Sequence, residues 1–273
     1  MTQSAVSLAL VFLLLFTGLL AFFTVQIRRG HKPSLRQIRA FDLLKGLMGR
    51  TVESGRTLHL SLGLGGLANQ TTADTLAGLA VLHFLSDQGA ETGLPPTVSL
   101  ADPAALLFAQ NVVRRAHTEL PAGLEAATQQ VRWIAPQPAA FAAGVMNILN
   151  SEKVAGNVMV GYFGDEYLLM GETAARHGMV HLGGTSNPNT LPFIYASAQQ
   201  TLLGEEIYAA GAYLKNIPAH LASLVTQDAM RWLAALVMLG GVLVATLNWG
   251  WLWLLAAGLA ILILISMALG ALR

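Results

Sequence analysis

Two long stretches without a charged side chain constrain this chain more than any other feature. The first covers residues 1–27, and within it Ala5 to Val25 is an almost continuous apolar run. The second covers Trp232 to Leu272 and has about twice the length that one membrane-spanning helix needs. Because a helix of about 20 apolar residues crosses the hydrocarbon core of a bilayer, the sequence predicts an integral membrane protein.

The second stretch predicts two spans rather than one. The polar segment from Asn248 to Trp251 interrupts it, and tryptophans favour the membrane interface. We therefore expect spans at Trp232–Leu247 and Leu252–Leu269, joined by a tight turn, and three transmembrane helices in all. The whole chain is 54% hydrophobic and only 11% charged, which is unlike an ordinary soluble domain.

The positions of the basic residues predict the orientation. Five of them follow the first span: Arg28, Arg29, Lys32, Arg36 and Arg39. Arg231 precedes the hairpin and Arg273 follows it. Since lysine and arginine remain on the cytoplasmic side, we expect a multi-pass inner-membrane protein with its N-terminus outside and its main domain cytoplasmic. A cleaved signal peptide is the alternative, but it would have its charges before a shorter apolar core.

Five regions follow from these predictions. Residues 1–27 form the N-terminal transmembrane helix, and residues 28–56 form a basic juxtamembrane amphipathic helix with Ser34 as its N-cap. Residues 57–217 form the cytoplasmic domain, residues 218–231 a connector and residues 232–273 the hairpin. The juxtamembrane helix either lies on anionic lipid headgroups or packs against the domain as a connector, and the sequence leaves both open.

Short strand-like runs alternate with helical patterns in the cytoplasmic domain. The strand candidates are Leu58–Leu62, Thr97–Leu100, Val131–Ile134, Asn157–Tyr162 and Met179–Leu182. The segment from Leu191 to Leu214 is predicted to be helical throughout. Such alternation is typical of βαβ units. We expect an α/β domain with a mostly parallel, five-stranded, three-layer sheet of Rossmann- or flavodoxin-like type, whose strand order the sequence leaves open.

Ligands of open parallel sheets bind beyond the carboxyl ends of the strands, so the loops there are the candidate site. The candidate ligand-binding residues are Gly63, Gly65, Gly66, Asn69, Asp102, Asp165, Gly184, Thr185, Ser186 and Asn187. We expect these loops to gather on one edge of the sheet.

The segment from Gly63 to Ala68 matches the spacing of a dinucleotide-binding loop, in which backbone N–H groups and a helix N-terminus meet phosphate. Asp102, after the second strand, would then bind the ribose. Two features depart from that pattern: the next helix is predicted to begin at Thr71 or Thr72, and Asp74 in its first turn would oppose an anion. The alternative is that the glycines merely permit a tight turn.

Other polar groups have structural and functional interpretations. Asp165 and Glu166, with Glu172, resemble a carboxylate cluster, but Asp165 is more simply an N-cap of the following helix. His177 and His181 lack a convincing carboxylate partner, so no metal site is predicted. Ser61 lacks the first glycine of a nucleophile elbow, because His59 stands there.

Several classes of function are disfavoured. The chain contains no cysteine, which excludes disulfides and thiolate chemistry, and its net charge of +1 argues against nucleic-acid binding. The predicted spans contain no ionisable residue, so transport by these helices alone is disfavoured. Their small residues, such as Gly240, Gly241 and Gly258, favour helix packing within a homo-oligomer or membrane complex.

Two motifs resemble an uncharacterised family of bacterial integral membrane proteins, a domain of unknown function. They are the segment from Gly156 to Ala174 and the segment from Gly183 to Asn189. The resemblance implies a bacterial membrane protein and assigns no chemistry or cofactor. Two functions therefore remain: a membrane-anchored module that binds a small ligand or partner, or scaffolds a membrane assembly, without catalysis; or a nucleotide- or dinucleotide-dependent enzyme at the membrane surface.

Overall fold

A computed structural model describes residues 3–31, 33–117, 125, 127–247, 258 and 260–262. The chain divides into two compact units. Residues 1–37 and 216–273 belong to one unit, and residues 38–215 belong to the other.

The secondary structure alternates through the second unit. Among the described residues of both units, the helices are α1 Gln3–Arg28, α2 Arg39–Ser54, α3 Thr72–Thr92, α4 Pro103–Ala116, α5 Pro138–Ser151, α6 Tyr167–Arg176, α7 Leu191–Ser197, α8 Ala210–Lys215 and α9 Pro218–Leu247. The strands are β1 Thr57–Gly63, β2 Thr97–Leu100, β3 Val131–Trp133, β4 Val154–Tyr162, β5 Val180–Thr185 and β6 Gln200–Leu203. A 3₁₀ helix covers Gly204–Ala209.

The first unit contains two long apolar helices, α1 and α9, which pack against each other. Val6–Arg28 and Pro218–Thr246 are long and apolar enough to cross a membrane, with mean hydropathies of 2.7 and 1.8. Their large side chains point outward: Leu8 is 76% exposed and Met238 is 66% exposed. The described residues thus contain two candidate spans. The predicted third span, Leu252–Leu269, and the turn before it lie outside the described residues, apart from 258 and 260–262.

The second unit is built on a parallel sheet of six strands in the order β3-β2-β1-β4-β5-β6. The α/β prediction is confirmed, but the expected number of five strands is wrong. The additional strand, β6, lies inside the segment predicted to be helical, and Leu182 to Thr185 of β5 pair with Gln200 to Leu203. A four-residue strand is too short for its periodicity to separate it from the helices on either side, and pairing with β5 decides its conformation.

Reversal of the strand order after β3 puts helices on both faces of the sheet. The chain winds outward from β1 to β3, crosses back to β4, and then winds the opposite way to β6. Right-handed connections place α3 and α4 on one face and α6 and α7 on the other. In agreement, Gly78 of α3 approaches Leu62 and Val160, whereas Tyr167 of α6 approaches Gly183 on the opposite face.

The juxtamembrane helix begins later than predicted. Its N-cap is Ile38, which makes no side-chain capping hydrogen bond, and Ser34 is in non-helical chain. The buried face of α2 includes Phe41 and Leu44 and packs on strands of the sheet and on α3 and α8. Phe41 stacks on Tyr213 of α8 with ring centroids 4.9 Å apart, so both ends of this unit lie together. The apolar surface of α2 is therefore used for packing within the domain.

Candidate functional site

Parallel pairing brings the predicted loops to one edge of the sheet, which we call the carboxyl edge. Gly63 ends β1, Asp102 follows β2, Asp165 follows β4 and Thr185 ends β5. Because all five strand pairs are parallel, these four positions lie beyond the same ends of the strands.

The glycine-containing loop after β1 is held by its own neighbours. Leu64 N donates to Tyr162 O at 2.9 Å, which continues the pairing of β1 with β4 one residue past the end of β1. Gly66 N donates to Thr71 Oγ1 at 3.0 Å, and Asn69 Oδ1 accepts from Thr71 N at 2.9 Å. Helix α3 begins at Thr72, as the sequence predicts. The loop thus uses the Gly66 amide internally instead of leaving it for a phosphate.

The glycines of this loop are required by close packing. A Cβ atom at Gly65 would collide with Thr75 Oγ1, and one at Gly66 would lie 2.9 Å from Asn69 Nδ2. The interpretation that these glycines permit a tight strand-to-helix connection therefore has a specific steric basis.

Asp102 lies beside the glycine loop, where a Cβ atom on Gly66 would be 3.5 Å from its carboxyl carbon. Its Oδ2 accepts from Ala105 N at 2.8 Å, so Asp102 is the N-cap of α4, with Pro103 at the first helical position. The structure brings Asp102 and Gly66 together, and it gives the Asp102 carboxylate a capping function.

Tyr208 is a residue of this edge that the sequence analysis missed. Its hydroxyl donates to Asp74 Oδ1 at 2.8 Å and also bonds with Ser186, so it joins α3 to the loop after β5. Burial and the Asp74 carboxylate raise the pKa of Tyr208. Asp74 is only 4% exposed, and its negative charge in the first turn of α3 disfavours an anion there. Nothing local in the sequence around Tyr208 indicates this contact, since 134 residues separate the partners.

The loops after β4 and β5 are tied to each other. Phe163 O accepts from Asn187 Nδ2 at 2.8 Å and from Thr190 Oγ1 at 2.8 Å. Thr185 is fully buried and its Oγ1 accepts from Asn187 N at 3.4 Å. Gly184 faces Leu202 and Ile207, so it allows the 3₁₀ segment to approach the sheet. The polar groups of this loop therefore mainly form hydrogen bonds within the loop and with the neighbouring loop after β4.

The predicted capping function of Asp165 is wrong. The cap position of α6 belongs to Glu166, whose Oε1 accepts from Gly164 N at 2.8 Å, because the turn extends one residue further before the helix begins. Glu172 pairs with Arg176 at 2.7 Å on the exposed surface of α6. Within the described residues, no group of three or more His, Asp or Glu side chains is arranged to hold a metal ion.

A buried polar row crosses the middle of the sheet. His59 Nδ1 lies 2.7 Å from Asn157 Oδ1, and its Nε2 lies 3.0 Å from Ser99 Oγ. His181 Nδ1 lies 3.1 Å from Asn157 O, and its Nε2 lies 2.9 Å from the Tyr167 hydroxyl. The register His59–Asn157–His181 aligns these side chains across β1, β4 and β5. The sequence signal was the alternation of His59 and Ser61 with leucines, which is typical of a strand with one polar face.

Burial determines the charge of this row. Burial lowers the pKa of His59 to about 4, although the hydrogen bond to Asn157 acts in the opposite direction. Burial also lowers the pKa of His181 to about 4, although the hydrogen bond to the Asn157 carbonyl acts in the opposite direction. Both imidazoles are therefore neutral at pH 7. Asn157 Nδ2 is buried without a hydrogen-bond partner among the described groups. These contacts stabilise the interior, and they separate His181 from the exposed His177.

A cavity of about 280 Å³ opens at the opposite end of the strands, which we call the amino edge. The residues that line it include Arg56 before β1, Lys153 before β4, and His177 and Gly178 before β5. None of the predicted ligand-binding residues lies in this cavity.

Comparison with known proteins gives a family and no function. Residues 2–255 match the family model DUF6754, described as a domain of unknown function. No curated protein and no solved structure matches the chain. Because the match covers nearly the whole chain, this protein belongs to the DUF6754 family.

Proposed function

We propose that this protein is a membrane-anchored α/β module that binds a small ligand or a partner, or scaffolds a membrane assembly, without catalysing a reaction. The observation that carries the proposal is the packing of the carboxyl edge. Gly66, Asp102, Glu166 and Asn187 each use a polar group in a local hydrogen bond of the loops or helix caps. A catalytic site needs polar groups free to act on a substrate.

The two apolar helices support the anchoring part of the proposal, and the basic residues support its orientation. In this proposal α1 and α9 cross the inner membrane, the third span crosses it again, and residues 38–215 are cytoplasmic. Since Phe41 and Tyr213 stack, both chain connections of the domain leave it from one place.

Exposed apolar side chains near the carboxyl edge support a partner-binding function. Leu107 is 67% exposed in α4, Leu169 is 51% exposed in α6 and Tyr195 is 76% exposed in α7. Each lies within the first two turns of a helix that follows a strand. Leu169 and Tyr195 lie on two helices of the same face of the sheet, and exposed large apolar residues on one face are typical of an interaction surface.

The full-length protein, purified in a mild detergent, tests this proposal. Native mass spectrometry of the purified protein should find a retained small molecule or partner, and incubation should leave a retained small molecule chemically unchanged. Conversion of that molecule by the wild-type protein would contradict the absence of catalysis. An empty protein that captures no partner in crosslinked membranes would contradict binding.

A nucleotide- or dinucleotide-dependent enzyme is the second candidate, and the strand order favours it. The order 3-2-1-4-5-6 is that of the dinucleotide-binding Rossmann sheet, in which the ligand lies where the strand order reverses. Gly66 and Asp102 lie together beside that point. Opposing it are the internal use of the Gly66 amide and the negative charge of Asp74.

Replacement of Asp102 by asparagine separates the two candidates. Asparagine retains an N-cap oxygen for Ala105 N, so the thermal midpoint should change little, whereas Asp102→Ala should cost about 1 kcal/mol of stability. We expect no saturable binding of NAD or NADP to the wild-type protein or to Asp102→Asn in calorimetric titrations. Dinucleotide binding that Asp102→Asn weakens without loss of stability would favour the second candidate, and conversion of the bound dinucleotide would then establish it as an enzyme.

A further inference from the structure

We propose that the amino-edge cavity is a binding site for the phosphate group of a small molecule, held by Arg56 and Lys153 with His177 at its rim. The cavity has a volume of about 280 Å³, and these three lining residues come from separate parts of the chain. The sheet brings them together, because each stands just before one of three neighbouring strands.

The strand register fixes the positions of the two cations. Thr57 pairs with Val154, and Thr57 N donates to Lys153 O at 3.1 Å. Arg56 and Lys153 are therefore neighbours on adjacent parallel strands, whose backbones are about 4.8 Å apart. On the other side of β4, the left-handed turn at Gly178, with φ of 63°, brings the chain from His177 into β5. The cations converge on one opening.

The charges of the cavity are unbalanced. Glu152 also lines it, but this carboxylate pairs with Arg132. Among the described residues, neither Arg56 nor Lys153 takes part in an ion pair. Two neighbouring cations that form no ion pair repel each other, and a dianion between them would be attracted to both.

The kind of cation and the size of the cavity indicate the ligand class. Arginine offers a planar set of donors that matches phosphate oxygens, and lysine adds a compact positive charge. A cavity of about 280 Å³ is at the lower end of the range for small-molecule sites, so it accommodates a phosphate with a small substituent and not a dinucleotide. The phosphate of a soluble metabolite and the phosphate of a lipid headgroup share this chemistry.

This site differs from the predicted one in its place on the sheet. The nine residues of β4 separate the amino edge from the carboxyl edge by about 26 Å. The phosphate site deepens the proposed function, because it names a class of ligand. It rests on that function in one respect, namely that the phosphate compound is bound and not converted.

Calorimetric titration of the full-length protein in detergent with pyrophosphate tests the site. We expect saturable binding that weakens as sodium chloride is added, because the cations are exposed. Arg56→Gln and Lys153→Gln should each weaken binding about tenfold. Arg50→Gln and Lys45→Gln are matched controls on the exposed surface of α2, and they should change binding less than about twofold. Equal thermal midpoints exclude misfolding as the cause.

Either of two results would overturn the proposed phosphate site. No saturable binding at about 10 mM pyrophosphate, or equal losses in the Arg56→Gln and Arg50→Gln variants, removes it. Hydrolysis of bound pyrophosphate would leave the site in place and contradict the non-catalytic function. Absence of phosphate binding, together with another retained molecule in native mass spectrometry, would remove the site and leave the proposed function in place.

A photoreactive group at Asn150, which lines the cavity, separates the two sources of phosphate. The protein is reconstituted in phosphatidylcholine nanodiscs with and without phosphatidic acid. Crosslinking to phosphatidic acid that pyrophosphate suppresses supports a lipid headgroup as ligand. Pyrophosphate binding without lipid crosslinking supports a soluble ligand. The proposal fails if neither the lipid nor pyrophosphate occupies the cavity.

Discussion

His59 and His181 show how a single buried side chain couples this fold to pH. Both lie in central strands and are at most 1% exposed, and burial favours their neutral forms. Their hydrogen bonds to Asn157, Ser99 and Tyr167 satisfy ring nitrogens that would otherwise be costly to bury. Protonation of either imidazole is therefore unfavourable in the folded protein.

The first prediction is that acid destabilises the domain through these histidines. Their folded-state pKa of about 4 is below the unfolded value of 6.5, so the unfolded chain binds more protons between these values. The stabilisation is fully present above pH 6.5 and is lost as pH falls toward 4. Each histidine should contribute a loss of up to about 3 kcal/mol. Chemical unfolding of the detergent-solubilised protein at pH 7.5 and pH 4.5 measures it.

A variant and a control isolate the contribution of His59. His59→Asn should be less stable than wild type at pH 7.5, because it loses two buried hydrogen bonds, but it should lose less stability on acidification. His220→Gln replaces an exposed histidine and should behave as wild type. An acid-induced loss of equal size in wild type and His59→Asn would contradict the assignment.

At the scale of elements, the distance between α3 and the sheet depends on one glycine. A Cβ atom at Gly78 would lie 2.5 Å from Val160 O and 2.7 Å from Leu62 Cδ2. No rotamer change moves a backbone carbonyl, so any side chain at this position pushes α3 away from β4. The glycine in the middle of a helix is destabilising by itself, and the close approach of helix and sheet offsets that cost.

The second prediction compares two glycine-to-alanine replacements. Gly78→Ala should destabilise the protein by about 1–3 kcal/mol through overpacking against β4. Gly46→Ala, in α2, should stabilise it by up to about 1 kcal/mol, because nothing lies within 4 Å of the added methyl and alanine favours helix. Thermal midpoints of the two variants in the same detergent give the comparison. A stabilised Gly78→Ala variant would show that α3 does not approach the sheet so closely.

At the scale of the whole molecule, the two units differ in the exposure of their apolar side chains. In the α/β unit Leu58, Leu60 and Leu62 are at most 1% exposed, whereas in α1 Leu8 and Leu14 are 76% and 64% exposed. Apolar surface of this extent on long helices is stable only when lipid or another protein covers it.

The third prediction concerns topology. The basic residues after the first span predict that the α/β unit faces the cytoplasm. A cysteine at Glu91, an exposed position at the end of α3, should be protected from an impermeant thiol reagent in intact cells and labelled after permeabilisation. A cysteine at Asn248 should be labelled in intact cells. The reverse labelling pattern would overturn the orientation. The absence of native cysteine makes each single variant unambiguous.

Much of the architecture could be predicted because it is encoded locally. Uncharged runs are sufficient for the apolar helix Gln3–Arg28 and for the part of α9 that follows Arg231, whereas α9 itself begins at Pro218, within the predicted connector. Alternating periodicities are sufficient for an α/β domain. The start of α3 at Thr72 and the position of the loops at strand ends also follow from local patterns. The four-residue strand β6 could not be predicted, because the exposed edge of β5 induces it and local periodicity does not.

Only the tertiary structure decided which polar groups meet. The sequence by itself placed Asp102, Asp165 and Asn187 in loops, but whether such a side chain caps a helix, bonds to another loop or faces a ligand depends on which groups the fold brings within hydrogen-bonding distance. The contacts between Tyr208 and Asp74, His59 and Asn157, and Thr57 and Lys153 join residues about 100 or more positions apart. Strand order and register set these contacts, and both arise from the packing of the whole sheet and not from any segment alone.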